Sequence, residues 1–266
     1  MELGVSTTIV EDKDLIPQLP LLAKYGIKNI EIRAKSGHFD YEDDKKVDLL
    51  AKKLKEFGIK AYSMHMPSKK VDISQEEEWD RVWSIREIEK AALALNKLGG
   101  KILVVHPGGK VKEDRDRRVK KSLESLAELL DFCKEWGLRL AVENTLPGKV
   151  GDKVEELLSL VNKFNSSHMG ICLDTGHINI EGNPLEAIKK VGPKLIHLHI
   201  QDNLGKNDDH FLPGKGNINW KELINLLLQI KYKGIFMFET LRDKGESLDE
   251  LLVQTKAIFD EFFPEA

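Results

Sequence analysis

Cysteine is nearly absent. Cys133 and Cys172 are the only two in 266 residues. One lies in a helical pattern and the other in a strand pattern, so neither a disulfide framework nor a Cys-based zinc motif is encoded, and a reduced cytoplasm is the expected setting. Excess charge is absent too. The 41 Lys and Arg stand against 44 Asp and Glu, for a net charge of -3 and a pI near 6.3. That balance gives no overall electrostatic footprint for nucleic acid or an anionic membrane. No apolar run approaches the roughly 20 residues that span a bilayer, and the first ten residues lack the basic and then apolar order of a secretory leader. A soluble protein without a membrane partner is expected. Linkers, low-complexity segments and near-identical repeats are missing as well. Although the chain exceeds the usual domain length, α/β barrels of about 250 residues are commonly single domains. Residues 1–266 are therefore read as one.

What the chain does contain is alternation. β-rich runs at 5–10, 29–33, 59–65, 101–106, 138–143, 170–174, 194–200 and 235–239 are each followed by helical spacing, at 15–25, 47–57, 77–98, 119–136, 154–164, 184–191, 220–230 and 247–263. Gly26, Gly58, Gly99 and Gly137 mark helix ends, and Pro184 suits a first helical turn. Eight such units predict a parallel sheet closed into a single α/β (β/α)8 TIM barrel. Residues 201–219 form a polar, Gly-rich loop whose length points to function.

The strands end unusually. Runs finishing at His65, His106, Glu143, His199 and Glu239 all terminate in an ionisable residue, and Gly170 to Asp174 delivers a carboxylate with His177 three residues later. Residues two apart share a face of a strand. His199, His197 and Leu195 would then point into the barrel, with Ile196, Leu198 and Ile200 toward the helices. Glu239, Met237 and Ile235 share one face against Phe236 and Phe238, and Asp174, Cys172 and Gly170 point inward. This places the ionisable groups at the C-terminal mouth, where barrels of this class build active sites. Carboxylates and imidazoles meeting there would repel or stay unsatisfied without a cation. The donor types suit a hard or borderline divalent ion: zinc, manganese, magnesium or cobalt. No organic cofactor is implied.

Bland readings stand beside these. His65 and His106 read equally as satisfied core histidines, His38 and His168 as surface or turn residues, and His197 as a hydrogen-bonded core group one layer below the mouth. Lys69, Lys70 and residues 112–121 are candidate phosphate contacts, but the second run mixes acids with bases and reads as a solvated helix start. Pro213-Gly214-Lys215-Gly216 reads as a plain turn or a substrate-covering loop. Trp79, Trp83 and Trp220 are expected between helices and barrel.

With His65, His-Pro-Gly at 106–108, Glu-Asn-Thr at 143–145, Asp-Thr-Gly-His at 174–177, His199, Asp208-Asp209-His210, Pro213-Gly214-Lys215-Gly216 and Glu239, essentially the whole chain resembles the xylose isomerase-like TIM-barrel superfamily. That superfamily joins sugar and sugar-phosphate isomerases and epimerases to the endonuclease IV group of abasic-site nucleases. The sugar-enzyme branch implies one metal on Glu143, Asp174, His199 and Glu239. In it the two glutamates move protons and His177 contacts substrate. The nuclease branch implies three zinc ions on nine ligands, falling on those four with His65, His106, His177, Asp208 and His210. Departures run both ways. Ketose epimerases carry an arginine after the seventh strand, where this chain has Asp208 and His210. The nuclease's DNA-wedging aromatic and aliphatic residues after the third strand are replaced by Met66-Pro67-Ser68-Lys69-Lys70, and its Ala-Gly-Gln-Gly after Glu-Asn-Thr by Leu146-Pro147-Gly148-Lys149.

The leading expectation is a cytoplasmic, metal-dependent isomerase or epimerase of carbohydrate metabolism. It would act on a small sugar, sugar phosphate or related hydroxy-carbonyl compound, with homo-oligomerisation left open. Nucleic acid is a partner only under the rival reading, a zinc phosphodiesterase. A non-catalytic metal- or sugar-binding barrel is the third reading.

Overall fold

In the computed structural model, which describes residues 1–10 and 12–264, eight parallel strands alternate with helices. The strands are β1 (Glu2–Ser6), β2 (Asn29–Arg33), β3 (Lys60–His65), β4 (Ile102–Val105), β5 (Arg139–Glu143), β6 (Met169–Asp174), β7 (Leu195–His199) and β8 (Ile235–Phe238). The helices are α1 (Leu19–Lys24), α2 (Asp44–Phe57), α3 (Glu78–Lys97), α4 (Arg115–Glu135), α5 (Val154–Asn162), α6 (Thr175–Glu181), α7 (Pro184–Val191), α8 (Trp220–Gln229) and α9 (Leu248–Phe262). Neighbouring strands follow chain order from β1 to β7, and β8 pairs with β1. The ring closes just past β7, where Ile200 N–H donates to Met237 O at 2.8 Å and Glu239 N–H donates to Ile200 O at 3.0 Å. This is the expected (β/α)8 TIM barrel.

Local chemistry fits each element. Asp43 caps α2 by accepting from Lys45 N and Lys46 N, and Gly58, at φ 66°, ends that helix in the left-handed region a β-carbon disfavours. The main core lies between sheet and helices and includes Phe236 and Phe238, while a small inner cluster of Ile102, Val104, Ala141, Cys172 and Ile196 plugs the barrel below its mouth. No helix among the described residues is long and apolar enough to cross a membrane.

Three expectations need correction. The first strand is Glu2–Ser6, and Thr7–Val10 is a 3-10 turn. Pairing with β2 and β8 ends at Ser6 and Val5, and Thr7 Oγ1 then accepts from Arg33 N at 2.9 Å, so tertiary bonding overrides the β-branched propensity of Thr-Thr-Ile-Val. The parity expected low on the seventh strand fails. Ile171 pairs with Leu195 but Cys172 pairs with His197, a bulge that sends Ile196 into the barrel cluster and Leu195 into the outer core. Trp79 and Trp83 are exposed, at 82% and 39%, rather than packed; only Trp220 is buried. His38 lies in a turn, as expected, and is buried there, its Nε2 2.8 Å from Thr7 Oγ1.

The loop 201–219 is ordered around one buried carboxylate. Asp202 Oδ1 accepts from Asn203 N at 2.9 Å and Ile218 N at 3.3 Å, and Oδ2 from Gly214 N at 2.9 Å and Trp220 Nε1 at 2.8 Å. A β-carbon on Gly216 would meet Asp202 Oδ1 at 2.2 Å, so the Pro-Gly-Lys-Gly segment is a turn wrapped on this carboxylate. Asp202→Ala would leave several N–H groups without an acceptor, and one such buried donor costs about 1–3 kcal/mol. The expected outcome is a stability loss of at least about 2 kcal/mol in denaturant unfolding, together with faster limited proteolysis within 203–219.

Candidate metal centre

The strands deliver their acids and imidazoles to one place. Glu143, Asp174 and His199 are the last residues of β5, β6 and β7, and Glu239 follows β8 directly; all four are buried. One donor atom from each lies within 4.8 Å of the others. His199 Nδ1 is 3.0 Å from Glu143 Oε1 and 3.0 Å from Glu239 Oε2. Asp174 caps α6 through Oδ1, which accepts from His177 N at 2.8 Å and so fixes the turn that carries His177.

Glu143 serves two groups at once. Its Oε1 faces His199, while its Oε2 lies 3.2 Å from His65 Nε2 and 3.1 Å from His106 Nε2, so His65, His106 and Glu143 form a second donor set. A third gathers on the 201–219 loop, where Asp208 Oδ2 is 3.4 Å from His177 Nε2 and 3.2 Å from His210 Nε2. The nine positions named from the sequence thus form one contiguous network. Hydrogen bonds fix the imidazole faces. Nδ1 of His65, His177 and His210 meets the backbone carbonyls of Met66, Asn144 and Glu239 at 2.9, 2.9 and 2.8 Å. A carbonyl can only accept, so each Nδ1 carries hydrogen and each Nε2 faces the cluster. His210 holds φ 51°, a strained value for a residue with a side chain, and its N–H donates to Gln201 Oε1 at 3.2 Å.

Electrostatics follow from crowding. Burial opposes charge on His177, but Asp174, Asp208 and Glu143 outweigh it and hold the imidazole up at about 10. His210 is held at about 9, where Asp208 and Glu239 overcome burial. His199 is raised well above its usual range against burial by the acids around it. Burial prevails at Asp174, which it pushes up to about 6 with help from the neighbouring acids, and at His106, which it pushes down to about 4. Glu239 is lowered to about 2, its burial outweighed by His199, His210 and Arg33.

Four contributors escaped the sequence reading. Glu31, buried at the centre of β2, lies beneath His199 and bonds Ser63 Oγ at 2.9 Å. Gln201 links the groups, its Nε2 donating to Asp208 Oδ1 at 2.7 Å and to Asp174 Oδ1 at 3.3 Å. Arg33 Nη1 and Thr8 Oγ1 reach Glu239 Oε1 at 3.4 and 3.3 Å. Alternation carried a signal for two of them: Glu31 shares a face with Asn29 and Arg33, and Gln201 continues the series His197, His199. His197 is a core group as expected, with Nε2 2.9 Å from Glu31 Oε2.

Buried imidazole and carboxylate donors at one point fit a hard or borderline divalent ion. Cys172 Sγ lies near His197 and His199, but burial raises its thiol well above the usual range, so it stays protonated and is a poor ligand.

The family model described as a xylose isomerase-like TIM barrel matches residues 19–259. Among solved structures, a D-tagatose 3-epimerase-like protein superposes with a TM-score of 0.88 at 26% identity, covering 99% of this chain and 97% of that one. The IOLI protein with a binding zinc atom superposes at 0.85 with 26% identity and 98% coverage of both chains. A D-psicose 3-epimerase of Agrobacterium fabrum is 26% identical over 241 residues, 87% of this chain and 81% of that protein. A probable endonuclease 4 of Mycoplasma mobile is 28% identical over 152 residues, 52% of this chain and 54% of that protein. With the family match running across nearly the whole barrel and its mouth, the chain belongs to the xylose isomerase-like TIM-barrel family.

Proposed function

We propose that the protein is a divalent-metal-dependent isomerase or epimerase of a small sugar or related hydroxy-carbonyl compound. One observation carries this reading: Glu143 Oε1 and Glu239 Oε2 both lie 3.0 Å from His199 Nδ1, in a donor set completed by Asp174. Two carboxylates beside one ion-binding point suit a reaction that removes a proton and returns it. The likeness to a D-psicose 3-epimerase and a D-tagatose 3-epimerase-like protein supports the substrate class, and the zinc atom of the IOLI protein supports the metal.

Glu143, Asp174, His199 and Glu239 would hold the ion. It would supply Lewis acidity, acidifying the proton α to a substrate carbonyl and steadying the enediolate. The rest falls to side chains. One of Glu143 and Glu239 takes the α-proton and the other delivers one to the same or the neighbouring carbon. His177, kept protonated by Asp174, Asp208 and Glu143, offers Nε2–H to a substrate oxygen. Arg33 and Thr8 orient Glu239.

A second reading rests on the two further donor sets, around His65 and His106 and around Asp208, which suit a multinuclear zinc phosphodiesterase. The loop after β3 argues against it: Met66 and Pro67 are buried, and the exposed residues after them are Ser68, Lys69 and Lys70, with no apolar wedge for DNA.

Glu143→Gln and Glu239→Gln should each abolish solvent deuterium incorporation into a turned-over sugar; undiminished exchange in either would remove the assigned roles. Elemental analysis of the purified chain separates the readings, since near three zinc per chain with abasic-duplex cleavage lost in His106→Asn would put the nuclease first. The imidazoles also set a pH dependence. His177 and His210 titrate near 10 and 9 in the fold, against about 6.5 when unfolded. The stability they give is therefore complete below pH 6.5 and disappears as pH rises through 9 and 10. Chelator-treated protein should melt at a lower temperature at pH 10 than at pH 7, and His177→Asn should shrink that drop in thermal melts.

A further inference from the structure

His199 is turned over relative to the other imidazoles of the mouth. His65, His177 and His210 each place Nδ1 on a backbone carbonyl and turn Nε2 to the cluster. His199 instead turns Nδ1 to the cluster, toward Glu143 and Glu239, and no carbonyl meets its other nitrogen. What lies there is Glu31, with Oε1 2.8 Å from His199 Nε2. Both atoms are buried and neither makes a well-aligned hydrogen bond to any group, so the pair stands as a close ion contact with no competing partner on either side. Glu31 Oε2 is occupied on its far side by Ser63 Oγ and His197 Nε2, each at 2.9 Å, and the ring of His197 stacks on Tyr62 at 5.8 Å. The carboxylate is thereby immobilised from below with one oxygen left for His199.

We infer that Glu31 is a positioning residue, the group that fixes hydrogen on His199 Nε2 and so keeps the Nδ1 lone pair aimed at the ion-binding point. It does for His199 what carbonyls do for the other three rings. A carboxylate in that place differs from a carbonyl in adding charge: it makes the imidazole a stronger donor to a cation, and such outer partners are worth about 10–100-fold in metal affinity. The charge is tolerable in the barrel interior because it is balanced only when the layer above holds a cation or protons. The inference rests on the metal-dependent reading, and it adds a residue from a strand whose tip contributes no ligand of its own.

The test is a competition titration of Zn2+ against a chromophoric chelator for the wild type, Glu31→Gln and Glu31→Ala, with long-range 15N–1H NMR of His199 in the zinc-loaded wild type. Expected are an affinity loss of about tenfold for the Gln variant and up to about 100-fold for the Ala variant, with hydrogen found on Nε2 and zinc on Nδ1. Wild-type affinity in both variants, or zinc on Nε2, overturns the inference while leaving the metal-dependent reading intact. Failure of the wild type to bind Zn2+ or Mn2+ overturns both. If the Ala variant does not fold, the isosteric Gln variant and the wild-type spectrum still decide.

Discussion

Every oxygen of Glu143 is committed: one to His199 and the other to His65 and His106. A buried carboxylate so placed needs positive charge beside it, because an unpaired charge in that interior would cost several kcal/mol. Asp174, Glu239 and Glu31 add three further buried acids within the same mouth. In the metal-free chain protons on His199, His177 and His210 supply the balancing charge, which is why these imidazoles are raised while His106, where burial prevails, is lowered. Under the proposed metal-dependent reading, a divalent ion held by Glu143, Asp174, His199 and Glu239 would take over from such protons, and ion binding and proton release would be one event.

The barrel supplies the position at which this can happen. In a parallel sheet a register error of one residue would turn each tip group from the mouth to the helices. The bulges at Tyr62 and Ile196 manage that register. Below them, Ile30 pairs with Ala61 and Ile171 with Leu195; above them, Glu31 pairs with Ser63, Cys172 with His197 and Asp174 with His199. Each bulge adds one residue low on a strand, so the top of β7 brings His199 level with Asp174, while Glu31 meets Ser63 and His197 in the layer beneath. Tyr62 and Ile196, the surplus residues, fill the barrel floor. Two irregularities at the bottom therefore set the alignment of the donors at the top.

The parts of this arrangement that alternate by simple rules were legible in the sequence. Strand tips, helix stops and the inward faces of β6 and β8 follow from local pattern, and Asp174 and His199 stand out because each ends an apolar run, with His177 three residues beyond the first. Glu31 does not, since it sits in mid-strand flanked by Ile30 and Ile32 and has the spacing of an ordinary half-buried strand. Its role depends on His197 and His199, more than 160 residues away, and on a bulge that no local pattern announces. Gln201 was hidden by its position at the start of a polar loop. Trp79 misled in the opposite sense: hydrophobicity gives an expectation of burial, yet it stands exposed in the first turn of α3.

The loop 201–219 bears on which chemistry the mouth performs, through a single nitrogen. His177 Nδ1 is held by Asn144 O whatever occupies the mouth, so only Nε2 is free to change state. With Asp208 pinned at its shoulder by Gln201 and the loop anchored on Asp202, a proton on Nε2 is stabilised and the ring is a hydrogen-bond donor. A donor can hold a hydroxyl or carbonyl oxygen of a sugar. The same nitrogen stripped of its proton becomes a ligand, joined by Asp208 and His210, and the ring can no longer donate to substrate from that side. The sugar-enzyme and phosphodiesterase readings therefore differ, at this imidazole, in whether Nε2 keeps its proton. The acids around His177 favour the protonated form until a cation displaces that proton.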